Sequence, residues 1–511
     1  MEYLWLRGDI RSLLGQALVW FPILLVSLYI LKAIYRITLH PLARFPGPKL
    51  TAMTRCYEAY YEVFADGTGG KFGEKIEEWH RQYGPIVRIN PFELHVNDPE
   101  YFDELFNFNA HLWKRSFAID NLVHTPSSTQ HKQRRQVLQN YFSQQKTNQM
   151  TYIVRDRIQA LCNHLISHKG KGEPVKASLM FRAMTTDIIC EYAFGRHWGF
   201  VEDPEYSEGY FSATQNTFKN IYFFREYPIV NNIALGLSAL PDWLFPKGSL
   251  KNVTLWAEAS FKSLIIDSMI RHEKDEGSPP TIFEEYKTNK LPPEEKTPNR
   301  IFQVALMVMG AGAGTPSYVL DIATYYILAD PAIHDRVKAD LASVWSDPKA
   351  PAPEVAVLEG LPFLRGCIKE ALRLALGPMA RLQRLNPHEE MHFQEWLIPK
   401  GTPIGMTHRF IHHNPDIYPE PFEFRPERWM QGEKSRELEK YLVTFSRGSR
   451  QCLAIPLAYA ELYLCLATLI RKFDLQLYET DRACVDPRYD YFAPFPEKHD
   501  LSNERVRFLV Q

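Results

Sequence analysis

Phe445-Ser446-Arg447-Gly448-Ser449-Arg450-Gln451-Cys452-Leu453-Ala454 forms a loop that feeds the apolar run LAIPLAYAELYLCLATLIRKF, in which Pro456 falls in the first turn of a helix. This spacing predicts Cys452 at a helix N-terminus. Free amide N–H groups and the positive end of the helix dipole lower a thiol's pKa there and favour the thiolate that binds a metal. Gly448 permits a tight turn and close backbone approach to a flat ligand. Arg450 is placed to pair with an anionic group of that ligand and Phe445 to cover the sulfur, and Ala454 is counted with them as cofactor-binding. The other cysteines (Cys56, Cys162, Cys190, Cys367, Cys465 and Cys484) form no C-x-x-C pair and read as reduced core or surface thiols.

Upstream, Glu370-Ala371-Leu372-Arg373 sets a carboxylate and a guanidinium at i,i+3 on one helix face, where they can hydrogen-bond. Between that pair and Cys452 lies Phe424-Arg425-Pro426-Glu427-Arg428-Trp429. Helical spacing of apolar residues covers roughly 72–82, 129–145, 148–167, 176–195, 250–274, 299–329, 360–375 and 453–473. The body is therefore mainly α. Alternation in Ile86–Asn90 and Glu93–Val96, with an Asn-Pro turn between, predicts a hairpin, and further short strands are expected around 381–407 and at the C-terminal end. Gly310-Ala311-Gly312-Ala313-Gly314 lies inside a long apolar helical pattern with no strand before it, so it does not read as a dinucleotide loop. His412-His413 lack a spaced set of further ligands and read as loop residues. Asn252-Val253-Thr254 matches a glycosylation acceptor and is assigned no role.

With 59 Lys+Arg against 60 Asp+Glu, the chain has no global field to attract nucleic acid. Its 45% hydrophobic content fills a sizeable core, and no low-complexity linker or repeat divides the 511 residues, so one large catalytic unit is expected. Leu13–Leu31, LLGQALVWFPILLVSLYIL, is uncharged and approaches the ~30 Å thickness of a bilayer's hydrocarbon as a helix. Lys32, Arg36, Arg44 and Lys49 follow it, which places the body on the cytosolic side and, with no small-x-small site after it, argues against a cleaved signal. HPLARFPGPK (40–49) carries Pro41, Pro46 and Pro48 and predicts an extended connector. The organisation read from these features is a membrane anchor over 1–35, a Pro-rich hinge over 36–50 and a catalytic domain over 51–511.

The F-x-x-G-x-R-x-C spacing around Cys452, the Glu370–Arg373 pair and the Phe424–Trp429 segment resemble those of the cytochrome P450 family, of the microsomal type found in fungal secondary metabolism. The likeness extends from HPLARFPGPK and YGPIVRINPFELHVNDP (83–99) to DYFAPFP (490–496). It implies the mainly α cytochrome P450 fold with a smaller β region, preceded by one transmembrane helix. It also implies haem b with Cys452 as the iron ligand, since a thiolate pushes electron density toward bound oxygen and favours O–O cleavage. Arg428 then joins Glu370 and Arg373 as a structural brace. His131 and Arg135, at i,i+4, resemble the family's pair on a haem propionate, and Arg384 stands where another cation is supplied.

In the helix over the oxygen side the family has A-G-x-D/E-T-T/S, and the register here gives Ala311-Gly312-Ala313-Gly314-Thr315-Pro316. Thr315 is kept and Gly314 replaces the acid, which puts the usual proton delivery in doubt. Pro316 removes a donor and disfavours helical geometry at Thr315, so the helix is expected to open there. The resemblance implies an NADPH- and O2-dependent monooxygenase of the endoplasmic reticulum membrane, single-pass, partnered by NADPH-cytochrome P450 reductase. Its substrate is expected to be hydrophobic, a terpenoid or polyketide intermediate, with Leu122, Val123, Met307, Ala311, Met379 and Phe492 as pocket walls. Two rivals are a haem-thiolate enzyme running a rearrangement or peroxide-dependent reaction, motivated by Gly314, and a haem sensor, for which no attached module is evident.

Overall fold

Asn90 shows how local chemistry sets the smaller, β-containing part of the molecule. Its Oδ1 accepts the Phe92 N–H at 3.0 Å, while its Nδ2 donates to Glu58 at 3.1 Å and Glu93 at 2.8 Å, closing the Asn-Pro turn. Ile86–Arg88 and Leu94–Val96 pair antiparallel across it, and Leu94–Val96 pairs parallel with Ile404–Gly405. Met391–Phe393 and Trp396–Ile398 form a second hairpin. The predicted hairpin and strands within 381–407 are thus present.

The computed structural model describes residues 2–107, 122, 125–227, 229, 230, 266, 281–501 and 505–511. They form two compact units, Met1–Asp98 with Leu385–Met406, and Pro99–Arg384 with Thr407–Gln511. The helix expected over 250–274, apart from Ile266, and the pocket candidate Val123 lie outside the described residues.

In the first unit a helix spans Glu2–Thr38, and its Leu18–Thr38 part, 21 residues and 6% buried, is long and apolar enough to cross a membrane. The segment after it is not extended. It runs as turns, because Leu42 and Phe45 bury their side chains and hold it down. Phe45 stacks on Trp396 with ring centroids 4.9 Å apart, and the Arg88 guanidinium donates to the Arg36 carbonyl at 2.8 Å and the Pro91 carbonyl at 2.9 Å. Gly47 has to be glycine, since a Cβ there would stand 2.6 Å from the Arg88 carbonyl oxygen.

The second unit is a helical body. Pro298–Ala329 packs along Ala177–Phe194 and also carries Pro362–Ala375 and Ile455–Lys472. Ala177–Phe194 is apolar nearly all round and buried along almost its whole length, as a central helix must be. At Gly312 the two helices come close, since a Cβ there would meet the Ile189 side chain at 2.5 Å. The two helices predicted over 129–145 and 148–167 are Ser128–Gln139 and Gln144–His168; the boundary moves because Ser143 caps the second, accepting the Lys146 N–H at 3.3 Å. Arg507–Val510 lies between Val175–Lys176 and Leu475–Leu477, and Pro487–Tyr491 pairs with Ala493–Pro496. These are the C-terminal strands the sequence leads one to expect.

Candidate active site

The loop before the Ile455–Lys472 helix closes on itself. The Ser446 N–H donates to the Val443 carbonyl at 2.7 Å, the Gln451 N–H to Gly448 at 3.1 Å and the Cys452 N–H to Phe445 at 3.0 Å. Ser446 and Gly448 take the left-handed φ values of 56° and 69° that this course demands. Arg447 is clamped on the Asp103 carboxylate at 2.8 and 3.0 Å. Cys452 lies two residues before the N-cap, Ala454, rather than at the helix terminus itself. The Ala454 N–H donates to its sulfur and Arg135 adds a positive charge, but burial outweighs both and pushes the thiol up. The helix end alone therefore does not bring this thiol below its ordinary pKa. Cys452 is surrounded by protein and still accessible, because it faces a cleft of ≈550 Å³ walled by Arg135, Gln139, Pro456 and Tyr459. Phe445 lies against Tyr459, ring centroids 5.7 Å apart.

A second structure holds this loop in place. The Glu370 carboxylate accepts Arg373 Nη2 at 2.7 Å and Nε at 3.0 Å, Arg428 Nε at 3.0 Å and the Arg425 N–H at 3.1 Å. Sequence reasoning missed one partner, Trp429, whose indole N–H reaches Glu370 at 2.8 Å. Arg373 Nη1 continues to the carbonyls of His412 at 2.9 Å and Pro421 at 2.6 Å. His412, expected in a loop, ends the short His408–His412 helix and is fully buried. Its Nε2 accepts the Val443 N–H at 3.0 Å, and burial holds its pKa well below the usual histidine value, so the ring stays neutral and keeps that lone pair. Thr444 donates to the Leu372 carbonyl at 2.8 Å. The brace is thus coupled through His412 and Thr444 to the start of the Cys452 loop.

Cations gather on the other side of the loop. Arg135 donates to the Gln451 carbonyl at 2.6 Å; Arg450 donates through Nη2 to the Thr125 and Pro126 carbonyls at 2.9 and 3.2 Å, while its buried Nε and Nη1 have no partner. Arg384 lies 4.5 Å from the centre of the Phe106 ring, its pKa drawn down to about 9 by burial and by Arg450. Among the described residues none of these three guanidiniums has a carboxylate within ion-pair distance. His131 is buried beside them, and burial with the charges of Arg450, Arg135 and Arg384 holds it down at about 3, hence neutral. In HKQRR the most buried cation is Arg134, which the sequence did not single out and which pairs with Glu295 at 2.8 Å. Cations that have no carboxylate partner among the described residues suit an anionic ligand.

The long helix runs unbroken through Pro316, contrary to the expected opening. Proline costs it one donor, and hydroxyls cover the neighbouring carbonyls: Thr185 donates to Ala313, Thr315 to Ala311 at 2.8 Å and Ser317 to Gly314 at 3.0 Å. Met307, Ala311 and Thr315 share one face of this helix, with Ala311 and Thr315 open. Met379 and Phe492 are joined by the Met379 N–H to the Phe492 carbonyl at 3.0 Å, and Leu122 is buried.

Residues 60–488 match the family model described as Cytochrome P450. The chain belongs to the cytochrome P450 family. It is similar to the cytochrome P450 monooxygenases MO6277 of Ascocoryne sarcoides (35% identical, covering 94% of this chain and 95% of the relative) and sdnE of Sordaria araneosa (36%, covering 95% and 96%). It is equally similar to the tryptophan 6-hydroxylase fscE of Fusarium equiseti, 35% identical over 94% of both chains. This cytochrome P450 is thus a haem monooxygenase, whose family binds the iron through a cysteine thiolate and takes electrons from a redox partner, with O2 and a hydrophobic substrate. The site fits that cofactor: an accessible thiol in a closed loop, and three guanidiniums that have no carboxylate partner among the described residues and suit the acid groups of a haem.

Proposed function

We propose that Cys452 is the axial ligand of haem b and that this cytochrome P450 hydroxylates or epoxidises a hydrophobic terpenoid or polyketide intermediate, in one or more steps. The observation that carries the reading is the accessible Cys452 thiol beside guanidiniums that, among the described residues, no carboxylate pairs with. Haem, when bound, supplies the oxygen chemistry, and the chain supplies ligand, proton path and pocket. Arg135, Arg384 and Arg450 bind the propionates, with neutral His131 as a further donor, and Gly448 lets the loop approach the ring. Leu122, Met307, Ala311, Met379 and Phe492 wall the substrate, and their apolar side chains suit a terpenoid or polyketide skeleton. Untargeted metabolite comparison of producing cells with and without the protein, followed by turnover of the accumulated compound with NADPH and O2, tests the reading. Accumulation of no terpenoid or polyketide would overturn the substrate class.

Thr315 supplies the proton-bearing hydroxyl in the absence of an acid at Gly314. Among the described residues its Oγ1 bonds only to Ala311 of its own helix, so Thr315→Ala is expected to leave haem content unchanged while diverting NADPH electrons to hydrogen peroxide. Proton delivery contributes typically ~10²–10⁴-fold, so product per NADPH should fall steeply. Unchanged coupling in this variant would remove Thr315 from the mechanism.

Residues 1–35 anchor the protein in the endoplasmic reticulum membrane with the body in the cytosol, residues 36–50 join it to the haem-binding domain over 51–511, and NADPH-cytochrome P450 reductase delivers the electrons. The apolar helix and the basic residues that follow it support this arrangement. Body packing begins near Ala33, and Arg36 donates to the Met53 carbonyl at 2.6 Å. Deleting residues 2–31 is therefore expected to move the protein from membranes toward the soluble fraction with haem retained. Full-length protein found wholly soluble in detergent-free extract would contradict the anchor.

A further inference from the structure

Arg182 is a half-buried cation with no role in the site described above. It lies on the Ala177–Phe194 helix with its guanidinium aimed at Gly314, where a Cβ would stand 3.2 Å from Nη2. Gly314 occupies the position of the acid in the family pattern, so a carboxylate side chain there would fall against this guanidinium. Here the acid is gone and the cation remains. Among the described residues no carboxylate lies within ion-pair distance of Arg182, and no group accepts a hydrogen bond from its guanidinium. The acid whose charge acts on it, Asp321, is engaged elsewhere, accepting Ser178 Oγ at 2.8 Å and Arg505 Nη2 at 2.6 Å. Asp321 is thus paired with Arg505, and Arg182 is left without a carboxylate partner among the described residues. Burial and the Arg505 charge bring the Arg182 pKa down to about 10, which leaves it charged at neutral pH.

A half-buried guanidinium with no carboxylate partner among the described residues is costly, and its flat fork matches a carboxylate. Arg182 is also partly accessible, so it borders open space. Gly310, Ala311 and Thr315, which flank Gly314 on its helix, are themselves exposed. We propose that Arg182 and Gly314 form a carboxylate-binding site filled by the substrate's own acid group, which fixes an apolar acid with its skeleton beside Thr315. The site stands in for the missing side-chain acid and selects acids over their neutral derivatives. The inference rests on the reading of residues 311–316 as the helix over the haem.

The test uses the full-length, haem-loaded protein and acid/ester pairs: dodecanoic acid with methyl dodecanoate, and abietic acid with methyl abietate. Binding is read from the spin-state change of the ferric haem. The acids should half-saturate at about a tenfold lower concentration than the esters, the ratio expected for a charge-assisted pair. Arg182→Gln should abolish that preference. Gly314→Asp should abolish it too, and should raise the thermal midpoint above that of Gly314→Asn, which has the same shape without the charge. This comparison keeps Arg182 in place and stands even if Arg182→Gln folds poorly. Equal binding of acid and ester by the unaltered protein, or an acid preference that survives Arg182→Gln, would overturn the proposal. Sodium acetate against sodium chloride at matched ionic strength separates the sources of carboxylate. Arg182-dependent stabilisation by acetate without acid preference would assign the site to a free carboxylate and overturn the substrate's part. An intact thiolate-type ferrous–carbonyl spectrum throughout shows that such a failure lies with this inference and not with the haem reading.

Discussion

Cys452→Ser is expected to abolish the red-shifted Soret band of the ferrous–carbonyl protein, the mark of thiolate ligation, and all NADPH-dependent product with it. Burial decides among the cysteines. Cys162, Cys190, Cys367, Cys465 and Cys484 are enclosed, with Cys190 and Cys465 held well above an ordinary thiol and Cys162 pushed up to about 11. Cys56 is exposed but belongs to the first unit. Cys452 alone is accessible within the unit that holds the unpaired cations. The loop should survive the substitution, because the bond from residue 452 to the Phe445 carbonyl is made by backbone. The loss is therefore one of ligand and not of fold, and Cys56→Ser should leave the band unchanged. A shifted band that persists in Cys452→Ser would move the ligand elsewhere.

What the sequence displayed was governed by spacing. Glu370 and Arg373 are one helical turn apart, and the loop from Phe445 to Cys452 is contiguous, so local geometry was enough to bring their chemistry together. Pairings made by tertiary packing were not legible. Nothing local to Trp429 tells of its bond to Glu370, and nothing in His412-His413 tells that the first ring holds the Val443 amide. In HKQRR, spacing pointed to His131 and Arg135, whereas the partner that buries Arg134 is Glu295, far along the chain. Pro316 was read as a break because a sequence shows a lost donor but not the Thr185 hydroxyl on the adjacent helix. The prolines of 41–48 suggested an extended strap, yet Leu42 and Phe45 between them had a surface to bury against. Gly314 was visible as a missing acid; the Arg182 guanidinium facing it was visible only in the fold.

Glu370→Ala is expected to cost about 3–5 kcal/mol, the usual penalty for removing one partner of a buried ion pair. That is a large share of the roughly 5–15 kcal/mol by which domains are stable, so folded, haem-loaded protein should be mostly lost. The reason lies in the donors left behind: Arg373 and Arg428, both buried, keep their charges, and the Trp429 indole and Arg425 amide lose their acceptor. Arg373 would retain its carbonyl partners at His412 and Pro421, but its fork would no longer be fixed in orientation. Since His412 in turn holds Val443, the disturbance should reach the Cys452 loop as reduced haem retention. Trp429→Phe removes one hydrogen bond and should cost only about 1 kcal/mol. In the double variant the two losses should not add, because the indole's acceptor is already gone once Glu370 is alanine. Thermal midpoints and haem content of the two single variants and the double check this. Full haem and an unchanged midpoint in Glu370→Ala would reduce Glu370 to an ordinary helix residue, and strict additivity would deny that Trp429 belongs to the brace.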